Sequence, residues 1–310
     1  MNTLRQSLEE YLILRRRLGF KLRDPGQQLP HFVRFMERRR ATYITQALAL
    51  EWAQRCSSTN PAHWAQRLRF VRGFARHRSA TDPRTQIPVE GLLPHRFKRA
   101  KPYPYTEAEI RDLMRAALTL PPRGSLRPWT YYNLIGLLSV SGLRFGEARN
   151  LELRDVDLQE RILSIRNGKF GKSRLVPLHP STCERLADYL VRRERFLAGR
   201  SCAYFFTSLV GTRLPEAATH KTFRALTRSI GLGISGDGHW PRMHDFRHRF
   251  ATQTLLRWYR SGEDPERSLP ILSAYLGHAH PSDTYWYLSN NPELMREAMN
   301  RLENRWEGRS

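Results

Sequence analysis

The sequence predicts a mainly α-helical protein with a small β-sheet, an α+β chain in two domains. Three observations carry this. Apolar residues recur at helical spacing through most of the chain, as in Leu4, Leu8, Tyr11 and Leu14, then Leu29, Phe32, Val33 and Met36. One stretch, Ile162 to Leu178, alternates like two strands around an Asn167-Gly168 turn. Pro83, Pro88, Pro94, Pro102 and Pro104 divide a helical start from a longer mixed remainder. At 310 residues the chain has room for two cores.

Taken in order, residues 1–79 read as a small helical domain. Asn60-Pro61 opens its last helix, where proline suits the first turn. On that helix Leu68, Val71 and Phe74 form an apolar stripe, and Arg69, Arg72 and Arg76 a basic one. Residues 80–105 read as an extended basic linker carrying Arg96, Lys98, Arg99 and Lys101. Thr106 and Glu109 form a capping box, so a second domain, 106–291, starts with a helix there. Helices are expected over 107–119, 127–140, Glu147–Leu151 and 181–197, with Gly142 as a helix stop. Tyr204-Phe205-Phe206 is a short strand or a buried loop. The rest is helical apart from a glycine-rich loop at 231–238. Residues 292–310 form a C-terminal helix and tail.

The charge is strongly basic: 52 Lys and Arg against 29 Asp and Glu, a net +23. Residues 1–100 hold 20 of the basic and 7 of the acidic residues, so the first third carries +13. Such a surface attracts a polyanion, and arginine's planar fork suits phosphate. No segment approaches the ~20 apolar residues of a spanning helix, which argues against a membrane partner. Cys56, Cys183 and Cys202 match no zinc spacing or disulfide framework, and a cytoplasmic setting fits.

Five residues point to phosphate chemistry: Arg144, Lys169, His244, Arg247 and Tyr287. Arg144 sits between glycines in Ser141-Gly142-Leu143-Arg144-Phe145-Gly146-Glu147, where backbone comes close to a ligand and Glu147 can hold the guanidinium. Alone, this heptapeptide reads as a surface Arg–Glu pair. Lys169 follows the hairpin turn and could protonate a leaving oxygen or be a solvated turn lysine. Lys172 and Arg174 compete for the same role. His244 and Arg247, at i and i+3, share a helix face, one able to exchange protons near neutral pH and one permanently charged. His278 follows Leu276-Gly277 at a helix end, where it could instead cap carbonyls. Tyr287 lies nine residues on. A phenol attacks phosphorus when nearby charge stabilises phenolate and transition state. It could also be a core tyrosine, as Tyr285 and Trp286 beside it illustrate.

In this order and at these spacings the set resembles the tyrosine recombinases, the phage-integrase family, over nearly the whole chain. The resemblance implies a DNA-binding helical domain, a linker and a catalytic domain. It implies catalytic roles for Arg144, Lys169, His244, Arg247, His278 and Tyr287, with Glu147 in support. The segment Gly168-Lys169 before Lys172-Ser173-Arg174-Leu175-Val176-Pro177-Leu178 is similar to Xer-type members. The stretch between His244 and His278 is several residues longer than in those members, with the extra length placed around residues 260–265.

The implied activity is site-specific DNA recombination. Tyr287 takes a scissile phosphate as a 3′-phosphotyrosine, frees a 5′-hydroxyl, and needs neither metal nor other cofactor. Implied partners are a double-stranded recombination site, further copies in a tetrameric synapse, and sister recombinases. The Tyr285-Trp286-Tyr287-Leu288 string suggests a transposon-borne member. Arg69, Arg72, Arg76, Lys98, Arg99, Lys101, Lys172 and Arg174 are the expected DNA-binding side chains. Two other readings stand beside this one: relaxation of a single duplex in the manner of a type IB topoisomerase, and a DNA-binding protein without catalysis. On the C-terminal helix Met295, Met299, Leu302 and Trp306 line one side, expected to dock on a neighbouring protomer or, alternatively, on the chain's own catalytic domain.

Overall fold

A computed structural model describes residues 2–93, 101–166, 173–233, 240–278, 280, 282–287 and 292–307. The chain divides into two compact units, Met1–Arg99 and Ala100–Ser310. No described helix is long and apolar enough to cross a membrane.

The first unit holds α1 (Leu4–Arg17), α2 (Arg23–Arg38), α3 (Gln46–Gln54) and α4 (Pro61–Arg78). Each of α1, α3 and α4 begins where a side chain satisfies an orphan N–H: Thr3 accepts from Gln6 N, Thr45 from Leu48 N and Asn60 from Ala62 N. Their apolar faces meet in a core of Leu8, Phe32, Met36, Trp52, Val71 and Phe74. Leu14, expected in the α1 stripe, is exposed; Leu12 is buried with Leu4, Leu8 and Tyr11 instead.

The expected linker is shorter than its prolines suggest. Residues 80–93 pack on the first unit: Gln86 N donates to Ile44 O at 2.8 Å, and Leu92 and Leu93 lie against the core. Arg72 donates to the carbonyls of Pro88 at 2.7 Å and Val89 at 2.8 Å. Proline withholds an N–H but keeps its carbonyl, so an arginine can anchor a proline-rich segment. Arg72 is thereby committed to its own chain, while Arg69 and Arg76 on the same helix are exposed. At the far end of the linker Lys101 is exposed and Tyr105 is buried in the second unit, stacked on Phe246 at 4.4 Å. Lys98 and Arg99 lie outside the described residues, as do Lys169 and Lys172.

The second unit opens with α5 (Glu107–Ala117), capped by Thr106 and Glu109 in the expected reciprocal box. Next come α6 (Arg127–Ser141) and α7 (Phe145–Asn150). A three-stranded antiparallel sheet is built from β1 (Val156–Asp157), β2 (Ile162–Ile165) and β3 (Arg174–Pro177), with Ile165 opposite Arg174. Strand β1 is an addition to the expected hairpin. Then follow α8 (Pro180–Leu197), α9 (Glu216–Ser229), α10 (Met243–Arg260), α11 (Pro265–Leu276), α12 (Ser282–Tyr285) and α13 (Pro292–Glu307). Between α8 and α9, Tyr204 makes an isolated bridge to Glu152 while Phe205 and Phe206 are fully buried. One core joins α5–α10 to the sheet; a second joins α10, α11 and α13 around Leu255, Leu272, Leu276, Tyr287 and Leu294.

Helix α13 packs on its own chain. Leu294 is 1% exposed, and Arg260 pairs with Glu293 and Glu297. Met295 and Met299, from the predicted stripe, are turned to the outside. The side chains of Leu302 and Trp306 lie outside the described residues.

Candidate active site

Two glycines shape the site. Gly142 ends α6 with φ +60°, and a Cβ there would come within 2.5 Å of the Phe250 ring. Gly277 ends α11 with φ +67°, and its Cβ would meet the Arg174 guanidinium at 2.9 Å. Only glycine takes this backbone conformation and this closeness together. Both carbonyls then serve the site. Gly142 O accepts from Arg247 Nη1 at 2.9 Å, and Gly277 O from Arg144 Nη2 at 3.1 Å.

Around these carbonyls two arginines hold one carboxylate, and a third, Arg247, holds the Gly142 carbonyl. Arg144 precedes the first turn of α7, and its Nη1 donates to Glu147 Oε1 at 2.8 Å. Arg174 on β3 grips both Glu147 oxygens, at 3.1 and 2.8 Å, and donates from Nε to Tyr275 O at 2.6 Å. Arg247 on α10 is 1% exposed and also donates to Leu276 O at 2.6 Å. Burial alone would raise the Glu147 carboxyl, but the hydrogen bonds and charge of Arg174, then those of Arg144, hold it at about 2. Burial and the neighbouring Arg144 bring Arg247 down to about 10, so it stays charged at neutral pH. Three guanidinium charges against one carboxylate leave a cationic surplus, which suits a phosphodiester oxygen.

The histidines and the tyrosine border this cluster. His278 follows Gly277, and its Nδ1 lies 2.7 Å from the hydroxyl of buried Thr284. When that hydroxyl donates, the neutral ring carries its proton on Nε2 and presents a donor there. His278 is lowered to about 4 by burial and by Arg247 and Arg144. His244 in the first turn of α10 keeps an edge open to solvent. Crowding, then the charges of Arg247, Arg242 and Arg144, lower it as well. Both are therefore neutral at pH 7 without a ligand. Tyr287 is 5% exposed, its ring stacked 5.8 Å from that of His278, whereas Tyr285 is 57% exposed.

The structure thus gathers Arg144, Glu147, His244, Arg247, His278 and Tyr287 into one cluster. Arg174, expected among the DNA-binding side chains, belongs to it too. Its guanidinium turns inward because the buried Glu147 carboxylate and the Tyr275 carbonyl both need donors. Sequence reasoning also missed His248, one turn beyond His244, whose ring lies 5.0 Å from that of Tyr287. Its i+4 spacing from His244 was the available signal. Thr284, which orients His278, carried none.

Residues 105–293 match the model described as the phage integrase family. The protein named "Putative integrase/recombinase y4rB" of Sinorhizobium fredii is 58% identical over 314 residues, covering 100% of both chains. Tyrosine recombinase XerD of Mycobacterium tuberculosis is 30% identical over 239 residues, 75% of this chain and 71% of that one. Among solved structures, the Tn1549 transposon integrase in complex with transposon right end DNA superposes with a TM-score of 0.65 at 16% identity, over 96% of this chain and 99% of that one. A lambda integrase dimer bound to a core site gives 0.65 and 16%, over 94% and 97%. At such identities the structures show a shared fold.

Proposed function

The chain belongs to the phage integrase family and is a tyrosine recombinase that breaks and rejoins DNA, and we propose how its residues divide the work. Tyr287 attacks a scissile phosphate, forming a 3′-phosphotyrosine as the 5′-hydroxyl leaves. Arg144, Arg247 and His278 hold the non-bridging oxygens. Lys169 protonates the leaving 5′ oxygen, and His244 assists the proton leaving Tyr287. Neutral histidines suit this division, because one that starts unprotonated can accept. The 5′-hydroxyl of a partner duplex reverses the chemistry, and the energy of the broken bond is kept in the phosphotyrosine.

Each nucleophile cuts one strand, so exchange of both strands between two duplexes needs four cuts. Four protomers around two sites, of this chain alone or with sister recombinases, meet that need. The relatives' names favour a mobile-element setting, with DNA integration or transposition as the outcome. Joined products from two separate duplexes would distinguish this from relaxation of a single duplex.

The observation that carries the reading is the buried Tyr287, its ring packed on those of His278 and His248 in the same cluster as the buried Arg247. The test is a nicked suicide duplex. Wild type and Tyr285→Phe should form a covalent protein–DNA adduct and Tyr287→Phe none. An adduct from Tyr287→Phe would remove the tyrosine from its role.

A further inference from the structure

The buried His248 has no part in the chemistry above, yet three aromatic rings converge on it. It sits on α10 one turn after His244 and is 9% exposed. Its ring meets Trp286 at 4.6 Å and 65°, Tyr287 at 5.0 Å and 68°, and His244 at 5.3 Å and 86°. The His278 ring also packs on Tyr287, stacked at 5.8 Å and 20°. The tyrosine thus touches two imidazoles from different segments, and the one on α10 belongs to a long, well-packed helix. Tyr287 itself lies just past the four-residue helix α12, a short element with little rigidity of its own.

We infer that His248 is a positioning residue: its ring, with Trp286, fixes the Tyr287 ring in one orientation within the arginine cluster. This rests on Tyr287 being the nucleophile. Attack on phosphorus needs the phenol oxygen in line with the leaving oxygen, and a ring that swings freely loses that alignment most of the time. Edge-on aromatic packing supplies direction without taking a proton from the hydroxyl.

Positioning has a kinetic signature that acid–base or merely structural roles lack. It matters while the tyrosine is free. Once Tyr287 is bonded to the 3′ phosphate, the covalent bond itself holds the ring. Loss of His248 should therefore slow cleavage and spare rejoining.

The test uses the full-length protein. Cleavage is timed at saturating nicked suicide duplex, and rejoining is timed by adding a 5′-hydroxyl oligonucleotide to the purified covalent complex. For His248→Ala, cleavage should slow about 10–100-fold, the range of a modest misplacement of a reacting group. DNA affinity and rejoining should stay at wild-type levels. His248→Phe, which keeps a flat ring and loses the nitrogens, should restore cleavage. Trp286→Leu loosens the same packing without touching α10 and should show the same split, which keeps the idea testable if the alanine variant melts early. Equal slowing of both steps, failure of phenylalanine to rescue, or weakened binding with normal cleavage at saturation would each overturn the inference. An adduct formed by Tyr287→Phe would instead overturn the assignment of the nucleophile on which it rests.

Discussion

Arg174 grips Glu147 with two parallel N–H···O bonds, from a strand 27 residues away in sequence. The pair is nearly buried on both sides, with side-chain exposures of 11% and 7%. Glu147 in turn holds Arg144, so the position of the first arginine depends on a residue that reaches it only through a carboxylate.

Arg174→Met should therefore leave Glu147 short of a partner in a buried place. Breaking such a pair costs about 3–5 kcal/mol. Cleavage should fall about 10–100-fold through Arg144 misplacement, while the salt dependence of DNA binding changes little, because the Arg174 donors are taken up by Glu147 and the Tyr275 carbonyl. The acid limb supplies a second readout. The Glu147 carboxyl is near 2 in the folded chain against an ordinary 4.5. Its stabilising contribution is complete above 4.5 and is lost as pH falls from there towards 2. Urea denaturation between pH 5 and 3 should show less of this loss in the variant than in wild type. An unchanged acid limb would mean the pair is not what holds the carboxylate down.

The expected DNA-facing side of α4 makes a sharper test, because three arginines with the same apparent role part company in the structure. Arg69 and Arg76 are exposed, while Arg72 holds Pro88 O and Val89 O. Each arginine that displaces a counterion contributes about 0.9 to the slope of log K against log salt. Arg69→Ala and Arg76→Ala should each flatten that slope by about this amount and leave the melting temperature unchanged. Arg72→Ala should keep the slope and lower the melting temperature. A flattened slope from Arg72→Ala would return it to the DNA surface.

What the sequence showed plainly was local. The Thr106–Glu109 box, the Asn60-Pro61 start, Gly142 as a helix stop and the pairing of His244 with Arg247 all sit within a few residues, where spacing dictates geometry. The place of Tyr287 in the cluster was legible from its spacing after His278, whose ring it stacks on. What stayed hidden was the choice of acceptor. A guanidinium donates equally well to a phosphate, a carboxylate or a carbonyl, so Arg72, Arg174 and Arg69 look alike in sequence. The partners that separate them are set by the tertiary fold: Arg174 meets Tyr275 O 101 residues on. His248 was hidden for a related reason, since its contacts with Trp286 and Tyr287 lie on a different segment.

The two site histidines predict a weakening on mild acidification. Both are lowered from an ordinary 6.5, His278 to about 4 by burial and the guanidinium charges. Unfolded imidazoles take up protons as pH falls through 6.5, and the folded ones resist until well below it. The unfolded state then binds more protons, so stability is complete above 6.5 and declines from there towards 4. Urea midpoints should fall between pH 7.5 and pH 5, and His278→Gln should make that decline shallower. DNA phosphate at the site favours the protonated rings, so binding near pH 5.5 should take up protons, read from the buffer dependence of the binding enthalpy. Equal declines in the variant and wild type would place the titration elsewhere.

Helix α13 gives the final test, because it shares a core with Tyr287. Leu294 is 1% exposed in the cluster that contains Leu255, Leu276 and Tyr287. Truncating a leucine so buried costs about 2–5 kcal/mol. Leu294→Ala should lower the unfolding free energy by that range and slow adduct formation, since the cavity opens beside the tyrosine. The contact lies within one chain, so the loss should be the same at low and high protein concentration. The exposed pair Met295 and Met299 separates from it. Met295→Lys and Met299→Lys should leave urea midpoints unchanged, because neither side chain is buried. If this outer stripe meets another protomer in the synapse, those same substitutions should lower recombination between two sites while cleavage of a single suicide site continues. A stability loss from Leu294→Ala that disappears as protein concentration rises would instead mean that α13 is held by another chain, and that its seat against α10 is filled in trans.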